Sequence, residues 1–264
     1  MEKKSRRDFL KDTGAAVLAG AGLPLLGTTA CEGLQDHNIR GSERQLGMVI
    51  DMAKADDPAV REACFEACRK VHNVPRIEDP EEEIRWIWDE EYQHVFPDQV
   101  HERTPESVMT TPVMVLCNHC TNPPCVRVCP TQATWKRESD GVVMMDMHRC
   151  IGCRYCMAAC PYAARSFNWR DPRPFVETDA EGNFLSEFPT RTRGVVEKCN
   201  FCAERIREGL QPACVEAANS IAEGAMVFGD LSDPNSEISR ILESQATKSR
   251  RVHLGTGPNV FYLV

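Results

Sequence analysis

Fourteen cysteines in 264 residues are the feature of this sequence most able to do chemistry, and their spacing says which chemistry. The most regular run is Cys150-Ile151-Gly152-Cys153-Arg154-Tyr155-Cys156-Met157-Ala158-Ala159-Cys160-Pro161, a C-x2-C-x2-C-x3-C-P pattern. In that pattern three close cysteines wrap three corners of a [4Fe-4S] cube and the fourth reaches across to a second cube. Gly152 lets the backbone come close, and Pro161 turns the chain where no N–H is needed. Cys117-x2-Cys120-x4-Cys125-x3-Cys129-Pro130 is the same device with a longer middle gap holding Pro123-Pro124. Two such runs that exchange fourth ligands place Cys117, Cys120, Cys125 and Cys160 on one [4Fe-4S] cluster, and Cys150, Cys153, Cys156 and Cys129 on another. The chain is too long to need the disulfide framework of small secreted domains. Zinc ribbons pair two ligands with two, whereas each of these runs carries four, so iron and sulfide are expected rather than zinc. No C-x2-C-H occurs, which excludes covalent haem.

Two further groups are incomplete: Cys199-x2-Cys202-x11-Cys214 offers three ligands and Cys64-x3-Cys68 two. The stretches CNHCTNPPCVRVCPTQAT, CIGCRYCMAACPYAAR and KCNFCAERIREGLQPACVEAAN resemble the ferredoxin-like iron-sulfur electron-transfer subunits of membrane-bound oxidoreductase complexes of the polysulfide, dimethyl sulfoxide and nitrite reductase type. The resemblance covers nearly all of residues 57–228. It implies an α+β fold of two fused bicluster ferredoxin-like modules with loop-rich extensions, and four clusters in a full member. Here the fourth group ends at Ala218 where a cysteine is expected, and the first has Pro58 and Arg61 in place of two more. By the crossing rule all three losses fall on one cluster, while Cys68, Cys199, Cys202 and Cys214 keep its neighbour whole. Three [4Fe-4S] clusters on twelve cysteines are therefore expected, with Cys31 and Cys64 left over and Cys64 a small buried residue in the vacated site. His119, inside a ligand loop, is expected to hydrogen-bond near a cluster, and His148 to lie at the surface.

The elements that must position these groups are short. Residues 31–57 are polar and weakly periodic, and read as a leader. The resemblance implies an outer half over residues 58–116 with 190–228, which keeps one cluster, and an inner half over 117–170 with two; 171–189 reads as an exposed loop and 229–264 as a C-terminal extension. Ile84 to Tyr92 is a short helix or strand that buries its two tryptophans. Asp140-Gly141 turns between short strands, Ala203 to Arg207 is a helix stopped by Gly209, and Val260 to Val264 docks as a strand or as a tail on a partner.

Ser5-Arg6-Arg7-Asp8-Phe9-Leu10-Lys11, then an apolar run from Ala15 to Leu26, resembles a twin-arginine signal peptide over residues 1–30. Such signals export folded proteins, which suits a chain whose clusters must be built first, and imply a periplasmic location. Cleavage or a retained tail is expected over lipidation at Cys31. No other stretch reaches eighteen apolar residues, so membrane attachment is expected through a partner. The formal charge of -8, with +2 of it from residues 1–30, excludes nucleic acid as a partner. No nucleophile or acid–base pair accompanies the cysteines, so an electron-transfer subunit is expected rather than an enzyme. A reductase with one open iron, or a zinc-stabilised scaffold, are the other classes considered. The resemblance implies an integral membrane quinone-interacting subunit against the inner half and a second redox subunit, a cytochrome or iron-sulfur protein, at the other end. The segment EEIRWIWDEEYQHVFPDQ and the lost cluster most resemble the DsrO type, the iron-sulfur subunit of the membrane complex associated with dissimilatory sulfite reductase, which places the chain in sulfur metabolism.

Overall fold

The computed structural model describes residues 42–264, so the signal-like segment and Cys31 lie outside the described residues. Four strands form the main sheet: β1 (Leu46–Asp51), β8 (Met226–Asp230), β9 (Thr247–Lys248) and β10 (Val260–Leu263), in the order β8-β1-β10-β9. β1 runs parallel to β10, with Met48 opposite Val260, and antiparallel to β8, with Met48 opposite Phe228. Three two-stranded hairpins complete the strands: β2 (Ile87–Glu91) with β3 (Pro112–Leu116), β4 (Thr134–Lys136) with β5 (Val143–Met145), and β6 (Ser166–Phe167) with β7 (Val196–Glu197). The fold is α+β.

The structure departs from the expected leader over 31–57, because Leu46 to Ile50 are buried in the middle of the sheet. The physical reason is the run Leu-Gly-Met-Val-Ile, which suits a strand covered on both faces. Gly47 admits no side chain there, since a Cβ would come within 2.9 Å of the Asn259 carbonyl oxygen. The C-terminal strand supplies the parallel neighbour of β1, so the last residues are a structural member of the sheet and not a free tail.

Five helices matter for the site: α1 (Pro58–His72), α2 (Tyr155–Ala159), α3 (Ala203–Arg207), α4 (Ala213–Ile221) and α5 (Glu237–Ser244). Asp57 caps α1 by accepting from the Ala59 N–H at 2.8 Å, and Pro58 stands at its first position, where a missing N–H costs nothing. Asn73 ends α1 in the left-handed region at φ 49°, and its amide nitrogen donates to Ser186 and Phe188 carbonyls at 2.9 and 2.6 Å. These bonds tie down the loop that follows residue 171. The helix over 203–207 ends as expected, with Gly209 at φ +80°. Trp86 and Trp88 are both buried, at 3% and 7% exposure, consistent with a core use.

Candidate metal centre

Three of the four C-x2-C pairs, those that begin at Cys117, Cys150 and Cys199, share one backbone shape. The residue just before the second cysteine is left-handed in each: His119 at φ 42°, Gly152 at φ 70° and Phe201 at φ 56°. That turn aims its own N–H back at the first cysteine, so Gly152 donates to Cys150 Sγ and Phe201 to Cys199 Sγ, each at 3.4 Å. The glycine is legible as a close-approach residue, and the structure adds that a Cβ on Gly152 would lie 2.3 Å from the Gly194 carbonyl oxygen. His119 and Phe201 carry the ordinary cost of a left-handed non-glycine residue, of order 1 kcal/mol or more, and stack on one another at 3.7 Å between ring centres. His119 is fully buried, and its Nδ1 accepts the Val143 N–H at 3.1 Å. Burial, then the charges of Lys198, Arg165 and Arg137, hold its pKa well below the usual imidazole range. His148 is exposed.

The thiols gather in sets. Burial first, then the neighbouring Cys117, Cys125 and Cys160 sulfurs, pushes the Cys120 thiol up, and these four line one small cavity together with Pro123, Tyr162 and Arg165. Burial and then Cys199, Cys202 and Cys214 push Cys68 up in the same way, partly offset by Arg191. Cys68 comes from α1 and Cys214 from α4, two helices that pack against each other. Of the other four, Cys156 is pushed up by burial and by Cys125 and Cys150, with Arg165 opposing, while Cys129 lies just beyond the helical turn Pro124–Arg127, which packs on the helix carrying Cys156. Burial works against Cys129 as an anion, but the Thr134, Thr131 and Ala133 N–H groups and the Thr131 hydroxyl bring its pKa below the ordinary thiol value. Cys153 is exposed.

Such crowding tests what the site can hold. Buried thiols that raise one another's pKa cannot all ionise alone, and a cationic iron core supplies the compensating charge. The thirteen described cysteines form no disulfide. With N–H donors aimed at sulfur, the donor sets fit cubane iron–sulfur clusters.

The position one turn from Cys68 and Cys214 differs in kind. Cys64, fully buried, donates its S–H to the Cys214 carbonyl at 3.3 Å and touches Met226 Sδ at 3.8 Å. Ala218 is fully buried beside it on α4. Arg61 turns its guanidinium away to Asp89 at 3.0 Å and to the Ala55 and Asp56 carbonyls. Side chains fill this region as ordinary core, with Val60, Cys64 and Ala218 at 0% exposure.

Several residues around the sulfurs escape a reading of the sequence. Arg191, inside the Pro- and Arg-rich stretch that runs on from the expected loop, is fully buried in an ion pair with Glu197 at 2.6 Å, and Glu197 also accepts from Trp86 Nε1 and Asn168 at 2.7 Å each. Lys198 is buried and donates to the Cys199 carbonyl at 2.7 Å and to that of Val143. His72 Nδ1 donates to the Cys68 carbonyl at 3.2 Å and lies 3.7 Å from its sulfur, while its Nε2 meets Glu204 at 2.6 Å. Comparing the three C-x2-C loops position by position would flag Phe201. No sequence signal marks the buried cations.

Residues 108–173 match the family model of the 4Fe-4S dicluster domain, which makes this part of the chain ferredoxin-type. It is 42% identical over 275 residues to the Hdr-like menaquinol oxidoreductase iron-sulfur subunit 1 of Archaeoglobus fulgidus, covering 98% of this chain and 97% of the relative. The protein NrfC of Escherichia coli is 34% identical over 258 residues, 97% and 94% of the two chains. The menaquinone reductase iron-sulfur cluster-binding subunit of Nitratidesulfovibrio vulgaris is 35% identical over 238 residues, 82% and 88%. The chain belongs to this family of iron–sulfur electron-transfer subunits of membrane oxidoreductase complexes. Among the described residues no helix is long and apolar enough to cross a membrane.

Proposed function

We propose that the chain carries electrons through three [4Fe-4S] clusters, without substrate chemistry of its own. Cys68, Cys199, Cys202 and Cys214 hold the first, Cys150, Cys153, Cys156 and Cys129 the second, and Cys117, Cys120, Cys125 and Cys160 the third. When bound, each group takes up and returns one electron with little change of shape. The observation that carries this reading is the electrostatic grouping of Cys68 with Cys199, Cys202 and Cys214, which draws a fourth ligand from 131 residues away.

The same interactions suggest an order. Cys199 and Cys117 act on one another, joining the first set to the third. Cys125 acts on Cys156, joining the third to the second. Cys153 leaves the second set exposed at one end of the line. We assign that end to a quinone-interacting membrane subunit and the other to a second redox partner, on the exported side of the membrane and in a sulfur-metabolism complex. The menaquinol and menaquinone named for two relatives support the quinone side of this reading.

Iron and sulfide analysis of anaerobically purified protein, with electron paramagnetic resonance of the reduced form, tests it. About 12 iron and 12 sulfide per chain are expected from three cubes. About 16 iron would overturn the loss of the fourth site, and zinc without sulfide would overturn the whole reading.

A further inference from the structure

Arg165 sits five residues after Cys160, beyond a left-handed turn at Ala163 (φ 53°), and is only 5% exposed. Its Nη2 donates to Thr134 Oγ1 at 2.8 Å, and Nη1 reaches Met145 Sδ at 3.7 Å. Thr134 gives its own hydroxyl proton to the Met144 carbonyl at 2.7 Å, so its oxygen lone pairs are free to hold the guanidinium. Arg165 lines the same cavity as Cys117, Cys120, Cys125 and Cys160, and the Met145 side chain that its Nη1 touches packs against the group of buried residues that contains Cys125 and Cys156.

Arg191 is neutralised by Glu197, whereas no carboxylate among the described residues forms an ion pair with Arg165. A guanidinium taken out of water without a counter-ion costs several kcal/mol. A guanidinium keeps its proton at any ordinary pH, so the charge is permanent. Four thiolates outweigh the positive charge of a cube, so the counter-ion of Arg165 is the pair of cluster sets itself.

We propose that Arg165 is a positioning residue that holds one fixed positive charge between two cluster-binding sets, the one containing Cys125 and the one containing Cys156, and raises the reduction potential of both. The inference rests on the ligand sets proposed above. A reduced cluster bears one more negative charge than an oxidised one, and a nearby buried cation stabilises that form more. The planar fork holds Thr134 with one arm and touches Met145 with the other, a two-point placement for which the single point charge of lysine is poorly shaped. The first set, on Cys68, Cys199, Cys202 and Cys214, has Arg191 and Lys198 near it instead.

The test is a redox titration, followed by electron paramagnetic resonance, of the full cluster-loaded chain as wild type, Arg165→Met and Arg165→Lys. In Arg165→Met two of the three midpoint potentials are expected to fall so that, at fixed applied potential, the reduced-to-oxidised ratio drops at least about tenfold, or about 59 mV for a one-electron couple. The third midpoint stays in place. Arg165→Lys keeps the charge and loses the fork, so both midpoints fall by less. Should Arg165→Met fail to assemble, a fall of two midpoints in Arg165→Lys supports the proposal and an unchanged titration overturns it. Three unmoved midpoints, or movement of only one, overturn the sharing while leaving the cluster count intact. A wild-type protein without three titrating clusters breaks the underlying ligand reading instead, which separates the two failures.

Discussion

Two levels of one helix pair, a single turn apart, behave in opposite ways. At one level α1 and α4 present Cys68 and Cys214; burial and then Cys199, Cys202 and Cys214 push the Cys68 thiol up, and burial and then Cys64 and Cys199 push up that of Cys214. At the next, Cys64 and Ala218 close into apolar core, and Arg61 leaves for Asp89. The contrast teaches that a metal site in this fold is a local property. Apolar side chains fill the level of Cys64 and Ala218, while Cys68 and Cys214, on the same two helices, meet Cys199 and Cys202 from a separate loop.

The sharpest way to break the comparison is to change one sulfur at each level. Cys68→Ser should lower the iron content from about 12 to about 8 per chain, with one signal lost from the spectrum of the reduced protein. Cys64→Ser, four residues earlier on the same helix, should leave iron and spectrum unchanged. Equal losses in both variants would mean that Cys64 ligates and that the two levels are not distinct.

The next effect is one of stability. Arg191 and Glu197 are both at 0% side-chain exposure, so Glu197→Gln strands a buried guanidinium at a cost of about 3–5 kcal/mol. The expected readout is a lower temperature for loss of iron–sulfur absorbance, with the iron content of the intact protein unaltered. At the vacated level Arg61→Met breaks a pair in which Asp89 remains 35% exposed, and solvent screening reduces the cost to about 1–2 kcal/mol. A larger loss for Arg61→Met than for Glu197→Gln would show that the filled site, and not the retained one, carries the fold.

The cysteine loops can be read from spacing because a C-x2-C loop is a local device whose backbone shape follows from a few adjacent residues. Gly152 announces its left-handed turn for the same reason. Phe201 and His119 occupy the equivalent place without being glycine, and their strain is tolerated only through a ring stack across two loops 82 residues apart, which no local pattern reveals. Burial of Arg165, Arg191 and Lys198 is likewise invisible, since a cation stays inside only where distant sulfurs or a carboxylate supply its counter-charge. The strand β1 reads as leader from sequence alone because five apolar residues gain a meaning only when β8 and β10 are known to flank them.

The smallest effect concerns the leftover thiol itself. Burial, followed by the charge of Asp89, pushes the Cys64 pKa up to about 12. Since the shift is upward, the thiol remains protonated at every pH below that value, and at pH 8 the reactive thiolate is scarcely populated. Its side chain is also fully buried and donates its proton to the Cys214 carbonyl. Alkylation of the cluster-loaded protein at pH 8, followed by peptide mass analysis, should therefore find Cys64 unmodified, and unfolding in denaturant should make it reactive. Labelling of Cys64 in the folded protein would mean that the vacated level opens to solvent, and the description of it as packed core would then fail even if the iron content stayed at three cubes.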